Sequence, residues 1–311
     1  MKQLRLLFWM STLCFLTACG GGNPKSLPEQ PKPLHEFATP VPPVTFGQEQ
    51  QIEFLRKNYW SQFRFADTTA LTSIDTMAMI KHFGQYAMLV SAETEAIKAD
   101  IPAMRRLMQQ AAASRPMMDF FLFLAETVLH DPNSPMRNDE LYIPVLEAQL
   151  AAPWYDEYER IVPAFDLEMV RKNRVGHPAA DFRYTTADGR TRSLYALKAD
   201  YTLLFFNNPD CAMCKDLREQ IEASPVLAPL IASGQLKVLA LYPDEDLAAW
   251  HAYRSNIPAN WINAYDKGCV IRGEQRYDVN AIPSLYLLDS DKRVLVKDAS
   301  EIYRLEAALA R

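Results

Sequence analysis

The chain has 311 residues, 49% of them apolar, which suits two buried cores better than one. Its formal net charge of -5 lacks the basic patch or stripe that nucleic-acid binding needs, and it holds no long run of like charges.

Residues 1–18 read as an export signal rather than as part of a fold. Lys2 and Arg5 precede an apolar stretch, Leu6 to Leu16, that is too short to span a bilayer as a stable helix. Leu16-Thr17-Ala18-Cys19 followed by three glycines resembles the lipobox of bacterial lipoproteins. That resemblance implies cleavage before Cys19, a lipid on its sulfur and attachment to a membrane. No Asp follows Cys19 as an inner-membrane retention signal, and no acidic cluster follows as a surface-export signal. The expected location is the cell envelope, on the periplasmic face of the outer membrane.

Residues 19–47 are crowded with proline from Pro24 to Pro43 and lack apolar periodicity. They read as an extended tether rising about 3.1 Å per residue.

Residues 48–173 read as a helical domain. Ile52, Leu55 and Tyr59 recur at helical spacing, and Ser114 with Pro116 makes a helix start. Met117 to Leu129 is apolar nearly all round, as in a central buried helix. Asp131 to Pro135 is a loop, and Leu141 to Leu150 resumes an amphipathic face. Seven methionines lie between Met77 and Met118. They suit irregular gaps in a helical core better than a peptide groove or a copper site.

Residues 174–311 alternate strand and helix signals, the pattern of an α/β domain. Phe182–Thr185 and Thr191–Leu194 flank Asp188-Gly189 as a hairpin. Tyr201–Asn207 and Leu236–Tyr242 read as buried strands. Helices are expected over Leu247–Ser255, Val270–Tyr277 and Glu301–Ala310. A second hairpin joins Ser284–Asp289 to Arg293–Lys297.

Once Cys14 leaves with the signal and Cys19 carries lipid, only Cys211, Cys214 and Cys269 remain. A close pair plus a single thiol points to chemistry rather than to a disulfide framework. Cys211-Ala212-Met213-Cys214 follows a buried strand and opens a helix. The pair is within disulfide reach, and the helix N-terminus favours a thiolate on Cys211. Cys214, one turn deeper, is the expected resolving thiol. Ile282-Pro283 enters a strand, where an X-Pro bond is able to be cis. Asp210 sits just before Cys211 and opposes thiolate formation. Cys269 reads as a small buried hydrophobe in preference to a regulatory thiol.

From Gly176 onward the chain resembles the TlpA/ResA branch of the thioredoxin-like proteins. The likeness runs through Gly176–Phe182, Asp188-Gly189, Leu194–Lys198, Leu203–Cys214, an extra helix–strand unit and Ile282-Pro283. It implies a thioredoxin-like fold and a thiol–disulfide oxidoreductase with a redox-active Cys211–Cys214 disulfide and no bound cofactor. It implies Pro283 at the family's cis-proline position. Its partners are then thiols or disulfides of exported proteins and a membrane or periplasmic thiol donor. The sequence departs from the branch where Asn207 and Asp210 replace tryptophans and where Ala-Met separates the cysteines.

Tyr59-Trp60, Phe63 to Asp67 and Asp131 to Leu146 resemble a helical domain of unknown function. That domain is fused to thioredoxin modules in gut-bacterial lipoproteins.

Three other readings compete. A zinc site needs four ligands, and only Cys269 and scattered histidines such as His177 and His251 could complete one. A thiol peroxidase needs Thr or Ser three residues before its cysteine, where Asn208 stands. A non-catalytic binding module on the same scaffold keeps the pair as a structural bridge. Asp181, Asp188, Asp244, Glu245 and Asp246 take turn and cap roles instead of a metal site.

The lipobox reading predicts that Cys19→Ser leaves an uncleaved precursor or moves the protein to the soluble envelope fraction. Fractionation showing a normally processed, membrane-bound variant would contradict it.

Overall fold

The computed structural model describes residues 38–96, 101–279 and 281–310. The expected leader, Cys19 and most of the tether lie outside these residues.

Among the described residues, the first part is built from the α-helices α1 (Gln48–Asn58), α2 (Thr76–Ala96), α3 (Pro102–Ala111), α4 (Arg115–Ala125), α5 (Asp139–Ala151) and α6 (Ile161–Val170). Ser114 caps α4, its hydroxyl accepting the Met117 amide at 3.4 Å. The apolar run beyond α4 leaves the regular spiral as a π turn over Glu126–His130. The core holds Phe83, Leu107, Phe121 and Leu124, all essentially inaccessible. Phe121 meets Trp60, Phe63 and Phe65 with ring centroids 5.3–5.4 Å apart. Met79, Met104, Met108, Met117 and Met118 fill this core, whereas Met77 and Met88 are exposed.

The second part is built on a seven-stranded sheet of order β2-β1-β5-β4-β3-β6-β7. Its strands are β1 (Arg183–Thr186), β2 (Thr191–Ser193), β3 (Tyr201–Phe206), β4 (Leu236–Tyr242), β5 (Ile262–Tyr265), β6 (Ser284–Leu288) and β7 (Val294–Ala299). β3, β4 and β5 run parallel, and β6 pairs antiparallel with β3. Helices α7 (Ala212–Ala223), α8 (Leu227–Ser233), α9 (Leu247–Tyr253), α10 (Val270–Gly273) and α11 (Ile302–Leu309) connect and cover it.

The two-residue period of a strand divides the central sheet into two cores. Leu203 and Phe205 face Leu217, Ile221 and Leu305 on one side. Leu204 and Phe206 face Tyr184, Tyr277 and Tyr286 on the other. Burial on both faces explains the apolar runs Leu203–Phe206 in β3 and Val238–Tyr242 in β4.

Three expectations need correction. The helix expected over Val270–Tyr277 stops at Gly273. Gln275 takes a positive φ of 52° there, and Tyr277 leaves the helix to bury its ring against Phe206 and Tyr286. Cys269 is half-buried with a φ of 51°, instead of lying in a core. The helix expected to reach Ser255 ends at Tyr253 and tightens into a 3-10 turn over Arg254–Asn256.

The two parts meet along a polar seam centred on β7. Leu285 pairs with Ala299 but Leu287 pairs with Val296, so β7 carries one extra residue opposite Tyr286. Such a bulge re-aims side chains. Lys297 reaches Asp139 at 2.7 Å and the Val170 carbonyl at 2.8 Å. Asp298, at a φ of 45°, reaches Arg137 at 2.7 Å. Arg137 also pairs with Asp278 at 3.3 Å, and Arg174 forks onto Glu140. A cavity of about 90 Å3 lies beside these groups, its wall including His130, Arg137, Asp139 and Tyr286. Its size and polarity suit buried water.

Phe121→Ala is expected to destabilise the helical part by about 3–5 kcal/mol, because the ring is inaccessible and packs against other aromatic rings, Trp60, Phe63 and Phe65 among them. Urea unfolding followed by circular dichroism checks this, and a loss below 1 kcal/mol would show that the site collapses around the deletion.

Candidate functional site

β3 ends at Phe206, and five residues, Asn207 to Cys211, carry the chain over to α7. Asn207 anchors this crossing. It is 5% exposed, its amide donates to the Leu241 carbonyl at 3.0 Å, and its side-chain nitrogen donates to Phe205 O at 3.1 Å. Asn208 donates to Asp244 at 2.9 Å, and Asp244 pairs with Arg272. Both asparagines therefore fasten the turn to the neighbouring strand β4 and the loop after it. Asp246, in the same loop, caps α9 by accepting the Ala249 amide at 3.0 Å.

Cys211 is the N-cap of α7. Its backbone is extended, and its sulfur accepts the Cys214 amide at 3.0 Å. Cys211 and Cys214 form a disulfide with their Cα atoms 5.2 Å apart. The sulfur of Cys211 thus lies where unpaired helix N–H groups point and where the helix dipole favours negative charge, an effect of about 0.3–1 kcal/mol. Cys211 is part-exposed, while Cys214 is 1% exposed and packs with Leu217 and Ile221. Met213, between them, is 62% exposed.

The register brings the second element of the site to the first. Phe206 at the end of β3 stands opposite Ser284 at the start of β6. The residues just before β6 therefore lie beside the residues just after β3. Ile282 O is 3.9 Å from Cys211 Sγ, and the Ile282–Pro283 peptide bond is cis. Ser284 is fully buried, and its hydroxyl donates to Asp298 at 2.7 Å.

Of the residues singled out in the sequence, Cys211, Cys214 and Pro283 come together, and Asp210 stands exposed at the turn beside them. Lys215, a neighbouring cation, pairs with Glu219 at 3.9 Å. Cys269 follows β5 and precedes α10, with Asp244, Glu245 and Asp266 near it. Burial, then those carboxylates, push its thiol pKa up, which disfavours a reactive thiolate. Ser284 and Asp298 escaped the sequence reading. Ser284 looks like any small residue at a strand start, and Asp298 enters the seam through a bulge that strand periodicity does not reveal.

The arrangement is a sulfur pair with one reachable and one shielded member, next to the backbone carbonyl of the half-buried Ile282. It suits attack by or on Cys211, with Cys214 in place to resolve a mixed disulfide.

A family described as a domain of unknown function (DUF5106) matches residues 20–173. A thioredoxin-like protein from Bacteroides caccae is 39% identical to this chain. Its crystal structure superimposes with a TM-score of 0.81 over 89% of this chain and 99% of that one, a span that includes both parts. The C-terminal domain of an uncharacterized Bacteroides fragilis protein is 46% identical, covering 45% of this chain and 99% of that chain, with a TM-score of 0.43. A domain of a possible thiol-disulfide isomerase from Cytophaga hutchinsonii is 25% identical, covering 45% of this chain and 93% of that chain, with a TM-score of 0.39. No match was found among curated proteins.

Iodoacetamide is expected to label Cys211 first in the reduced protein, because Cys214 is shielded; preferential labelling of Cys214 would reverse the two roles. Asp210→Asn should speed labelling of Cys211 at neutral pH by up to about threefold, a modest effect because solvent and salt screen an exposed carboxylate. A slower variant would show that Asp210 acts on the sulfur by some other route.

Proposed function

The chain belongs to the thioredoxin-like proteins, and from that premise we propose that it is a thiol–disulfide oxidoreductase acting on exported proteins through Cys211 and Cys214. The observation that carries this reading is the position of the pair. Cys211 is the part-exposed N-cap of α7, and Cys214 is buried one turn on.

In the reducing direction the Cys211 thiolate attacks one sulfur of a substrate disulfide. The substrate S–S bond breaks, one substrate thiolate leaves and takes a proton from solvent, and Cys211 is held in a mixed disulfide. Cys214 then loses its proton and attacks Cys211 Sγ, releasing the second substrate thiol. The enzyme is left with the Cys211–Cys214 bond. The substrate gains two electrons and two protons, and an envelope dithiol donor must return them to the enzyme. The Ile282 carbonyl beside Cys211 offers a hydrogen-bond acceptor to an extended substrate segment.

The lipobox at Leu16–Cys19 and the proline-rich tether support a lipid-anchored protein of the cell envelope, held off the periplasmic face of the outer membrane. Disulfide exchange belongs in such an oxidising compartment.

The reduced protein is expected to cleave insulin disulfides, with Cys211→Ser falling to the uncatalysed rate. Cys214→Ser should accumulate mixed disulfides with exported proteins in cells, visible on non-reducing gels. Insulin cleavage at the uncatalysed rate by the intact protein, with no trapped species, would overturn the proposal.

A further inference from the structure

We propose that Arg137, in the helical part, is a positioning residue for the Ile282-Pro283 segment, acting through Asp298 and Ser284. This rests on the redox reading of the pair, since it assigns the helical part a task at that site.

The links are short and buried. Arg137 is 15% exposed at its side chain, and its Nη1 lies 2.7 Å from Asp298 Oδ2. The Asp298 side chain is 10% exposed, and its other oxygen, Oδ1, accepts the Ser284 hydroxyl at 2.7 Å. Ser284 follows Pro283 directly, and Ile282 O stands 3.9 Å from Cys211 Sγ. Each oxygen of one carboxylate is thus committed, one to the helical part and one to the base of the segment facing the disulfide.

The chemistry of Asp298 makes the two ends interdependent. Burial raises its pKa, and Arg137 is the first of the groups that lower it, followed by Ser284. Asp139 and Asp278, also nearby, raise it further. Without the guanidinium, a buried carboxylate among like charges takes up a proton or draws in water. A protonated carboxyl keeps only one free acceptor oxygen and no charge, so the Ser284 hydroxyl exchanges a charge-assisted hydrogen bond for a weaker neutral one, and the segment before it is fastened less firmly.

Docking alone does not require this route. Lys297–Asp139 and Arg174–Glu140 also tie the two parts together, and neither touches Ser284. The bulge in β7 turns Asp298 toward both Arg137 and Ser284.

The test uses the mature full-length chain and two readouts. The first is amide hydrogen exchange of Ile282 and Ser284 in the oxidised protein. The second is kcat and KM for insulin reduction. Arg137→Gln and Ser284→Ala should each speed exchange about tenfold, the scale of one charge-assisted buried hydrogen bond. Each should raise KM several-fold with little change in kcat. Arg137→Lys should keep most of the wild-type behaviour. Glu140→Gln, which breaks a seam pair away from the segment, should leave both readouts unchanged. The double variant Arg137→Gln/Ser284→Ala should be no worse than either single one, because both cut one chain of contacts.

Wild-type exchange and KM in Arg137→Gln would overturn the proposal, as would an equal effect from Glu140→Gln or strictly additive effects in the double variant. If Arg137→Gln does not fold, Ser284→Ala decides: wild-type exchange at Ile282 rejects the route. Failure of the intact protein to reduce insulin rejects the redox reading, and the exchange measurements still decide the positioning role.

Discussion

The antiparallel pairing of β3 with β6 sets the site. With Phe206 opposite Ser284, the exit of one strand and the entry of the other lie at the same end of the sheet. The α7 N-terminus and the Ile282-Pro283 segment therefore meet without any long loop having to be ordered. A one-residue slip in this register would send Phe206 and Leu204 to the opposite core and move Cys211 away from Ile282. Both faces of these strands are buried, so such a slip would cost most of the core contacts. The chemistry of the sulfur pair thus depends on hydrophobic packing several residues below it.

The seam between the two parts is a different kind of contact. It is made of ion pairs and hydrogen bonds around the β7 bulge rather than of apolar surface. Buried ion pairs add little net stability, because desolvation opposes the attraction, but removing one partner costs about 3–5 kcal/mol. Such a seam favours one arrangement over others more than it adds to total stability. The Bacteroides caccae thioredoxin-like structure superimposes over both parts at once, in line with a defined arrangement. A helical part held by Arg137 and Asp139 is then well placed to influence the end of the sheet that carries the disulfide.

Much of this was legible in the sequence because single physical signals dominate. β3 and β4 are dominated by the apolar runs Leu203–Phe206 and Val238–Tyr242, and Asp188-Gly189 marks the turn between β1 and β2. Cys211 at the junction of a buried strand and a helix locates the pair without further help. Other features depend on competition between weak signals. β5 is four residues long, half-buried and contains Asn263, so it carries no strand pattern of its own. The helix beginning at Val270 stops because Tyr277 is worth more in the core than in another helical turn. The carboxylate of Asp298 enters the seam where β7 holds an extra residue opposite Tyr286, and a bulge has no compositional mark here. Asn207 is legible as a departure from a family pattern, but its fastening of β3 to β4 is visible only once Leu241 lies beside it.

The central claim is that Cys211 and Cys214 form a working redox couple and not a structural bridge. Equilibration of the intact protein with glutathione buffers, read by alkylation of the free thiols, tests this most directly. The account predicts a midpoint above about -300 mV, in the range where thiol–disulfide enzymes exchange electrons with cellular thiols. A midpoint below that value, with the bond resistant to the glutathione pool, would contradict it and leave the pair as a staple at the start of α7.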